Sequence, residues 1–235
     1  MNCLIAEGVA AGYNKNLIIT NVSARVELGK VTAVVGPNGA GKSTFLKAVF
    51  GLLPNMSGTV TLDGVSIAHL EPHVIAQRGV AYVPQVENVF PNLSVRENLE
   101  MGAFATRSPV REGMERVYEL FPDLQLAAKR PAGQLSGGQR IMLALGRGLM
   151  ARPQFLLLDE PTAGLAPSYA AKVWALIRQV ADTSKGLLVV EQNVRLALAG
   201  ADQVHVVMDG KDHVLDDASS MTEEGLGRIF LGLDG

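Results

Sequence analysis

The chain has 235 residues, enough to bury a sizeable core in one large domain or two small ones. Its 21 Lys and Arg against 23 Asp and Glu give a formal net charge of -2, which removes any global electrostatic case for nucleic acid or anionic membrane as the main partner. One cysteine, Cys3, excludes an intrachain disulfide framework and a cysteine-rich metal site, and fits a reducing compartment.

The opening run Met1–Glu7 lacks the basic flank and apolar length of a signal peptide. No stretch reaches the roughly 20 apolar residues that span a bilayer. The expectation is a soluble, cytoplasmic chain that leaves any membrane crossing to other subunits. Val31–Val35 reads as a strand entering Gly36–Ser43, and Ser43–Phe50 as a helix ended by Gly51. Thr59–Leu62 then meets Asp63-Gly64, a hairpin signal. From about Ser94 to Met150 the periodicity is helical, with Val95–Met101, Val110–Phe121 and Gly138–Met150 as helices and no convincing strand. Phe155–Leu158 and Leu187–Val190 are apolar strands on either side of a helix around Pro167–Ala181. Val204–Met208 leads into a second hairpin signal, Asp209-Gly210. The sum is a layered α/β fold with a largely parallel core sheet, antiparallel additions and a helical insertion. There is no internal repeat and no low-complexity linker.

Gly36-Pro37-Asn38-Gly39-Ala40-Gly41-Lys42-Ser43 fits the phosphate-loop pattern G-x-x-x-x-G-K-[ST], with a strand before it and a helix continuing through Thr44. Glycines let backbone N–H groups approach phosphate oxygens, and the helix directs its partial positive end at the same charge. Lys42 is expected to reach the β- and γ-phosphates of a nucleotide, and the Ser43 hydroxyl to coordinate Mg²⁺. A glycine-rich turn without a ligand is the bland alternative. Leu156-Leu157-Leu158-Asp159-Glu160 supplies matching carboxylates, Asp159 for the metal and Glu160 beside the attacking water. Alone, the acidic pair could merely cap the helix into which Pro161-Thr162 leads.

Leu135-Ser136-Gly137-Gly138-Gln139 reads LSGGQ, ahead of the strand ending in Asp-Glu. Ser136 is placed to cap a helix starting near Gly138, a second anion-binding helix start. Gly12-Tyr13 precedes the first core strand, and Tyr82-Val83-Pro84-Gln85 follows another. Together these features resemble the ATP-binding cassette ATPases, and the resemblance covers essentially the whole chain. It implies a phosphate-loop NTPase forming one cassette across 1–235, with 1–85 and 153–235 as the nucleotide-binding core and β subdomain, and 86–152 as the helical subdomain with the signature. It implies ATP and Mg²⁺ as cofactors, Tyr13 as the platform for adenine, and Gln85 as the glutamine that senses metal and water. It also implies that Ser136, Gly137, Gly138 and Gln139 contact the ATP of a second cassette, a related chain or a second copy, in a head-to-tail dimer.

Two positions depart from that family pattern. Ala166 stands where a dimer-loop aspartate is usual, and Gln192 where most cassettes carry a histidine. Gln192 can hydrogen-bond a γ-phosphate but cannot take up a proton near neutral pH, which leaves Glu160 as the base and Gln192 as a positioning group. The runs Gly164-Leu165-Ala166-Pro167, Glu191-Gln192-Asn193 and Val89-Phe90-Pro91-Asn92-Leu93-Ser94-Val95 with Glu97-Asn98-Leu99, and an ending near Phe230-Leu231-Gly232, resemble the ATP-binding subunits of bacterial branched-chain amino acid importers. Cassettes for urea or short amides look similar. The resemblance implies transmembrane permease partners, a peripheral location on the inner face of the membrane, and a groove at Val86–Asn98 that receives a permease helix. The bland alternative makes Val89, Phe90 and Leu93 core residues. A soluble cassette acting in translation or DNA maintenance, or a regulator with little hydrolysis, remain as other readings. His69, His73, His205 and His213 lack ligand-spaced partners, Trp174 reads as core, and Arg147 and Arg152 as favourable charges at a helix C-terminus.

Overall fold

The computed structural model describes residues 2–14, 16–86, 88–104 and 109–214. The Phe230-Leu231-Gly232 run therefore lies outside the described residues. Strands β1 (Cys3–Tyr13), β2 (Asn16–Glu27), β3 (Val31–Val35), β4 (Met56–Leu62), β5 (Val65–Ser66), β6 (Val80–Val83), β7 (Phe155–Asp159), β8 (Gly186–Glu191), β9 (Gln203–Met208) and β10 (Lys211–Val214) form a 10-stranded sheet. The order is β5-β4-β1-β2-β10-β9-β3-β8-β7-β6. From β9 to β6 every pairing is parallel, and β3, β7 and β8 are buried at every position, as parallel strands covered on both faces must be. Asp63 and Asp209 take φ of 52° and 47°, the left-handed start that tight hairpins require, and β4–β5 and β9–β10 pair antiparallel as their Asp-Gly turns predict.

The expected α/β architecture thus holds, with an addition at the edge. The long pair β1–β2, for which the sequence offers no hairpin dipeptide, joins β4 and β5 as an antiparallel layer. Register shifts between Ala6 and Val9 and between Val9 and Ala11 break the period-2 pattern that would have advertised these strands.

Alternating sheet residues feed two cores. Phe155 and Leu157 pack with Phe45, Leu46 and the antiparallel layer around helix α1 (Lys42–Val49). Leu156 and Leu158 pack on the other face, against α3 (Val95–Ala103), α4 (Val110–Leu120), α5 (Pro122–Leu126), α6 (Gly137–Met150), α7 (Pro167–Asp182) and α8 (Val194–Gly200). A short helix α2 (Pro72–Gln77) precedes β6. Among the described residues between β6 and β7 there is no strand; besides α3 to α6 and their loops the segment holds a 3-10 turn at Ala132–Gln134 and an isolated bridge, Ser94 to Pro131. Trp174 is buried in the core of α7, as read from the sequence.

Several boundaries differ from expectation, three of them near the candidate site. Tyr82 and Val83 belong to β6 itself and do not follow it. The signature helix starts at Gly137, one residue earlier. Glu160 caps nothing: residues 161–164 form a turn, and α7 starts at Pro167 behind Ala166.

Candidate active site

Strands β3, β6, β7 and β8 are parallel, and their carboxyl ends gather Val35, Val83, Asp159 and Glu191 at one rim of the sheet. That rim is where ligands bind in open α/β sheets. The loop leaving β3 turns into α1 through Gly41, whose φ of 98° suits glycine and whose Cβ would lie 2.3 Å from Ile19 Cγ2. A Cβ on Gly36 would fall 2.2 Å from the Val207 carbonyl. The loop's own neighbours therefore demand glycine here. Helix α1 has no side-chain cap and no acid in its first turn, so its leading N–H groups at Lys42, Ser43 and Thr44 stay open to an anion.

Lys42 is 3% exposed, and its Nζ donates to the Gly36 and Pro37 carbonyls at 2.9 and 3.0 Å. The same Nζ lies 3.5 Å from Glu160 Oε1. Gln85 donates from Nε2 to Glu160 Oε2 at 2.9 Å. Glu160 itself holds φ at 43°, a backbone state that non-glycine residues occupy at a cost and that collects at functional sites. Next to it, Ser43 Oγ donates to Asp159 Oδ1 at 2.6 Å. The Ser43 hydroxyl and the Asp159 carboxylate meet as oxygen donors, which fits a hard cation such as Mg²⁺, while the Gln85 amide faces the neighbouring Glu160.

Two residues here escaped the sequence reading. The Tyr82 hydroxyl donates to Asp159 Oδ2 at 2.9 Å, so both carboxylate oxygens have protein donors. Burial and the Asp159 charge push the Tyr82 hydroxyl well above the usual tyrosine range, keeping it a donor. Buried Glu191 accepts from Thr162 N at 3.2 Å and Thr162 Oγ1 at 2.8 Å, tying the turn after Glu160 to the end of β8. Burial raises its pKa and outweighs these hydrogen bonds, which act to lower it.

The remaining sequence-predicted residues sit around this cluster. Tyr13 ends β1, half exposed, with Lys47 Nζ donating to its hydroxyl at 3.4 Å. Gln192 is exposed, and its side chain has no hydrogen bond among the described residues, so it is not drawn to Glu160. Asn38 and Gly39 are exposed loop residues, and Ala40 is buried. Ser136 caps α6: its Oγ accepts from Gln139 N at 3.3 Å, and Gln139 Oε1 accepts from Ser136 N at 3.1 Å. No hydrogen bond joins Ser136, Gly137, Gly138 or Gln139 to the phosphate loop among the described residues. A Cβ on Gly137 or Gly138 would find only ordinary contacts, 3.4 Å to Leu165 and 3.7 Å to Tyr169.

On the other side of α6 lies a groove of about 240 Å³ with Phe50, Tyr82, Phe90, Met101 and Arg147 on its walls. Phe90 is 43% exposed, which overturns its reading as a core residue, and the Arg147 guanidinium lies 5.1 Å from its ring. Arg147 lies in the last turn of α6, as read from the sequence, and its Nη1 is buried with no hydrogen-bond partner among the described residues. Arg152, beyond the helix, pairs with Glu112. The loop bearing Phe90 is pinned by buried Asn98, which accepts from Phe90 N at 2.7 Å and donates to the carbonyls of Phe90 and Ser94 at 3.0 and 2.9 Å.

A parallel sheet whose carboxyl rim carries a glycine loop, an open helix start, a lysine and an acidic pair defines a phosphate-loop nucleotide triphosphatase. More narrowly, a family model described as ABC transporter matches residues 19–163, and the chain belongs to that family of ATP-binding cassettes, which are ATPases. It is 37% identical to the high-affinity branched-chain amino acid transport ATP-binding protein BraG of Pseudomonas aeruginosa, over 95% of this chain and 97% of that one. A relative from Archaeoglobus fulgidus, named "Probable branched-chain amino acid transport ATP-binding protein LivF", is 40% identical over 95% of this chain and 96% of its own length. The lipopolysaccharide export ATP-binding protein LptB of Escherichia coli is 33% identical, over 100% of this chain and 99% of the relative. Among solved structures, a nucleotide-free cassette from an ABC transporter superposes with a TM-score of 0.81 at 26% identity, over 98% of this chain and 96% of that chain. Among the described residues no helix is long and apolar enough to cross a membrane.

Proposed function

We propose that this cassette is the ATP-hydrolysing subunit of a bacterial importer for branched-chain amino acids, working from the cytoplasmic face of the membrane as one half of a cassette dimer. The observation that carries the dimer is the signature helix. Among the described residues its glycines meet only ordinary contacts, and the close approach of a phosphate from a second cassette to their bare backbone would account for them. The importer reading rests on the likeness to BraG and LivF over nearly the whole chain.

In this reading residues 1–85 and 153–235 bind the nucleotide and 86–152 form the arm that carries the signature. Backbone groups from Gly36 to Thr44 wrap the phosphates, including those of Pro37, Asn38, Gly39, Ala40 and Gly41, while Lys42 meets the β- and γ-phosphates and Tyr13 carries the adenine. Ser43 and Asp159, with Gln85, would hold Mg²⁺, which when bound offsets phosphate charge. Glu160 accepts the proton of the attacking water, and Gln85 keeps that carboxylate aimed. Gln192 contacts the γ-phosphate as a donor without titrating. Across the dimer, Ser136, Gly137, Gly138 and Gln139 complete the partner's site. Ala166 and Gln192 favour a related but different chain as that partner, so that the two sites work unequally. Permease subunits dock a helix in the groove beside Phe90, where the unpaired Arg147 guanidinium calls for a carboxylate.

Leucine uptake into proteoliposomes tests the reading. The chain is assembled with the permeases and second cassette that co-purify with it, and uptake should require ATP inside and an amino-acid-binding protein outside. ATP-driven extraction of lipopolysaccharide by the co-purified complex would instead favour export, the second reading that the LptB likeness supports. A complex with ribosomes or DNA and no permease would remove both.

A further inference from the structure

Tyr82 touches both the groove and the metal-site carboxylate. Its ring stacks on Phe50 with centroids 5.6 Å apart at 27°, and both rings line the groove beside Phe90 and Arg147. Its hydroxyl donates to Asp159 Oδ2 at 2.9 Å, while Ser43 holds Oδ1 at 2.6 Å. Asp159 is 5% exposed, so its carboxylate has few donors to choose from other than these. A phenol is rigid between ring and hydroxyl. Any shift of the ring forced by an occupant of the groove therefore reappears at Asp159, and hydrogen bonds weaken steeply with misalignment. Gln85 offers a path through a loop, whereas Tyr82 is a direct mechanical link from a strand.

We propose that Tyr82 is a positioning residue that ties the orientation of Asp159, and with it the affinity for Mg²⁺, to the filling of the groove. The proposal rests on reading Asp159 as a metal ligand and the groove as the permease docking surface. Partners that orient a metal ligand from behind it are worth about 10- to 100-fold in metal affinity, which sets the expected size of the effect.

The test measures Mg²⁺ dependence, not turnover. On the isolated chain, Mg²⁺ is titrated against binding of a fluorescent, non-hydrolysable ATP analogue, and Mn²⁺ binding is read directly by paramagnetic resonance. Tyr82→Phe keeps the ring and loses the donor, so half-saturation should need about 10- to 100-fold more metal, while nucleotide binding in EDTA and thermal stability stay unchanged. Phe50→Leu, which touches no atom of Asp159, should shift metal affinity in the same direction by less. In the permease-bound complex the wild-type chain should show a different metal affinity from the isolated chain, and Tyr82→Phe should erase that difference.

Wild-type metal binding by Tyr82→Phe overturns the positioning role. A docking-induced difference that persists in Tyr82→Phe, or that never existed in the wild type, overturns the link to the groove. Failure of the docking reading is distinct from both: Phe90→Ala and Arg147→Ala would then assemble with the permease as the wild type does.

Discussion

Two helix N-termini in this chain are built alike from serine and glycine and differ in what completes them. At α1 the glycines are forced by the fold, since a side chain at Gly36 or Gly41 would strike Val207 or Ile19, and no side chain caps the open N–H groups. At α6 the relation is reversed. Ser136 and Gln139 cap the helix reciprocally, and a Cβ on Gly137 or Gly138 would meet only ordinary contacts among the described residues. Glycine costs a helix up to about 1 kcal/mol relative to alanine, so glycines kept without an internal reason point outward. In the proposed dimer the first site is finished by its own chain and the second by another.

Removing the base from the first site is the strongest way to probe that contrast. Glu160→Gln leaves a side-chain amide oxygen to accept from Gln85 Nε2 while deleting the proton acceptor. Phosphate release should fall by about 10²- to 10⁴-fold, with ATP still bound. The closed ATP dimer should then accumulate and be visible by light scattering. Equal turnover would remove Glu160 from the chemistry.

Gly138→Ala strikes the second site and separates the two most sharply. The added methyl meets Tyr169 Cδ1 at an ordinary 3.7 Å, so the isolated chain should melt no lower and should bind ATP as before. Turnover should nevertheless drop on the order of 100-fold, because a sub-ångström displacement of the partner's γ-phosphate spoils its alignment. Were the glycine a matter of the chain's own packing, stability would fall and turnover in the surviving protein would not.

A smaller effect is expected at the groove proposed to receive a permease helix. Arg147→Ala leaves ATP binding by the isolated chain intact and weakens assembly by about 30-fold, the scale of an interface hot spot, as read by co-purification against titrated detergent-solubilised permease. Arg147→Lys should recover little, since a point charge does not replace the planar guanidinium over Phe90.

These contrasts were unequally legible in the chain. The phosphate loop, the capping serine of the signature and both Asp-Gly hairpins are contiguous runs whose local chemistry dictates local geometry. Tyr82 and Asp159 are 77 residues apart, and only the parallel pairing of β6 with β7 makes them neighbours. Nothing near Arg147 in sequence announces an unpaired guanidinium, since Phe90 reaches it from a loop that Asn98 shapes through hydrogen bonds to main-chain groups. The β1–β2 pair was hidden for another reason: its bulges destroy the alternation by which strands are recognised. Periodicity reveals what a segment is; long-range pairing decides what it touches.

Glu191 gives the gentlest probe, through pH. It joins the turn after Glu160 to the end of β8, and burial lifts its pKa above the usual glutamate value. The folded chain then keeps this proton to higher pH than the unfolded chain. Stability from this group is complete below the unfolded pKa and is lost as pH rises through the folded one. Glu191→Gln mimics the protonated form at every pH. The two proteins should therefore melt together in acid, and the wild type should fall below the variant as pH climbs toward neutral. Each kcal/mol moves Tm by about 2–4 °C in a chain of this size, so a gap of a few degrees is expected. Taking the difference between variant and wild type cancels Asp202, whose pKa is lowered, against burial, by the Val31 backbone N–H together with Lys30 and Arg178, and whose slope has the opposite sign. A gap that is constant with pH would mean that Glu191 is charged in the folded chain at the same pH as in the unfolded one, and that its carboxylate acts on Thr162 purely as a hydrogen-bond acceptor.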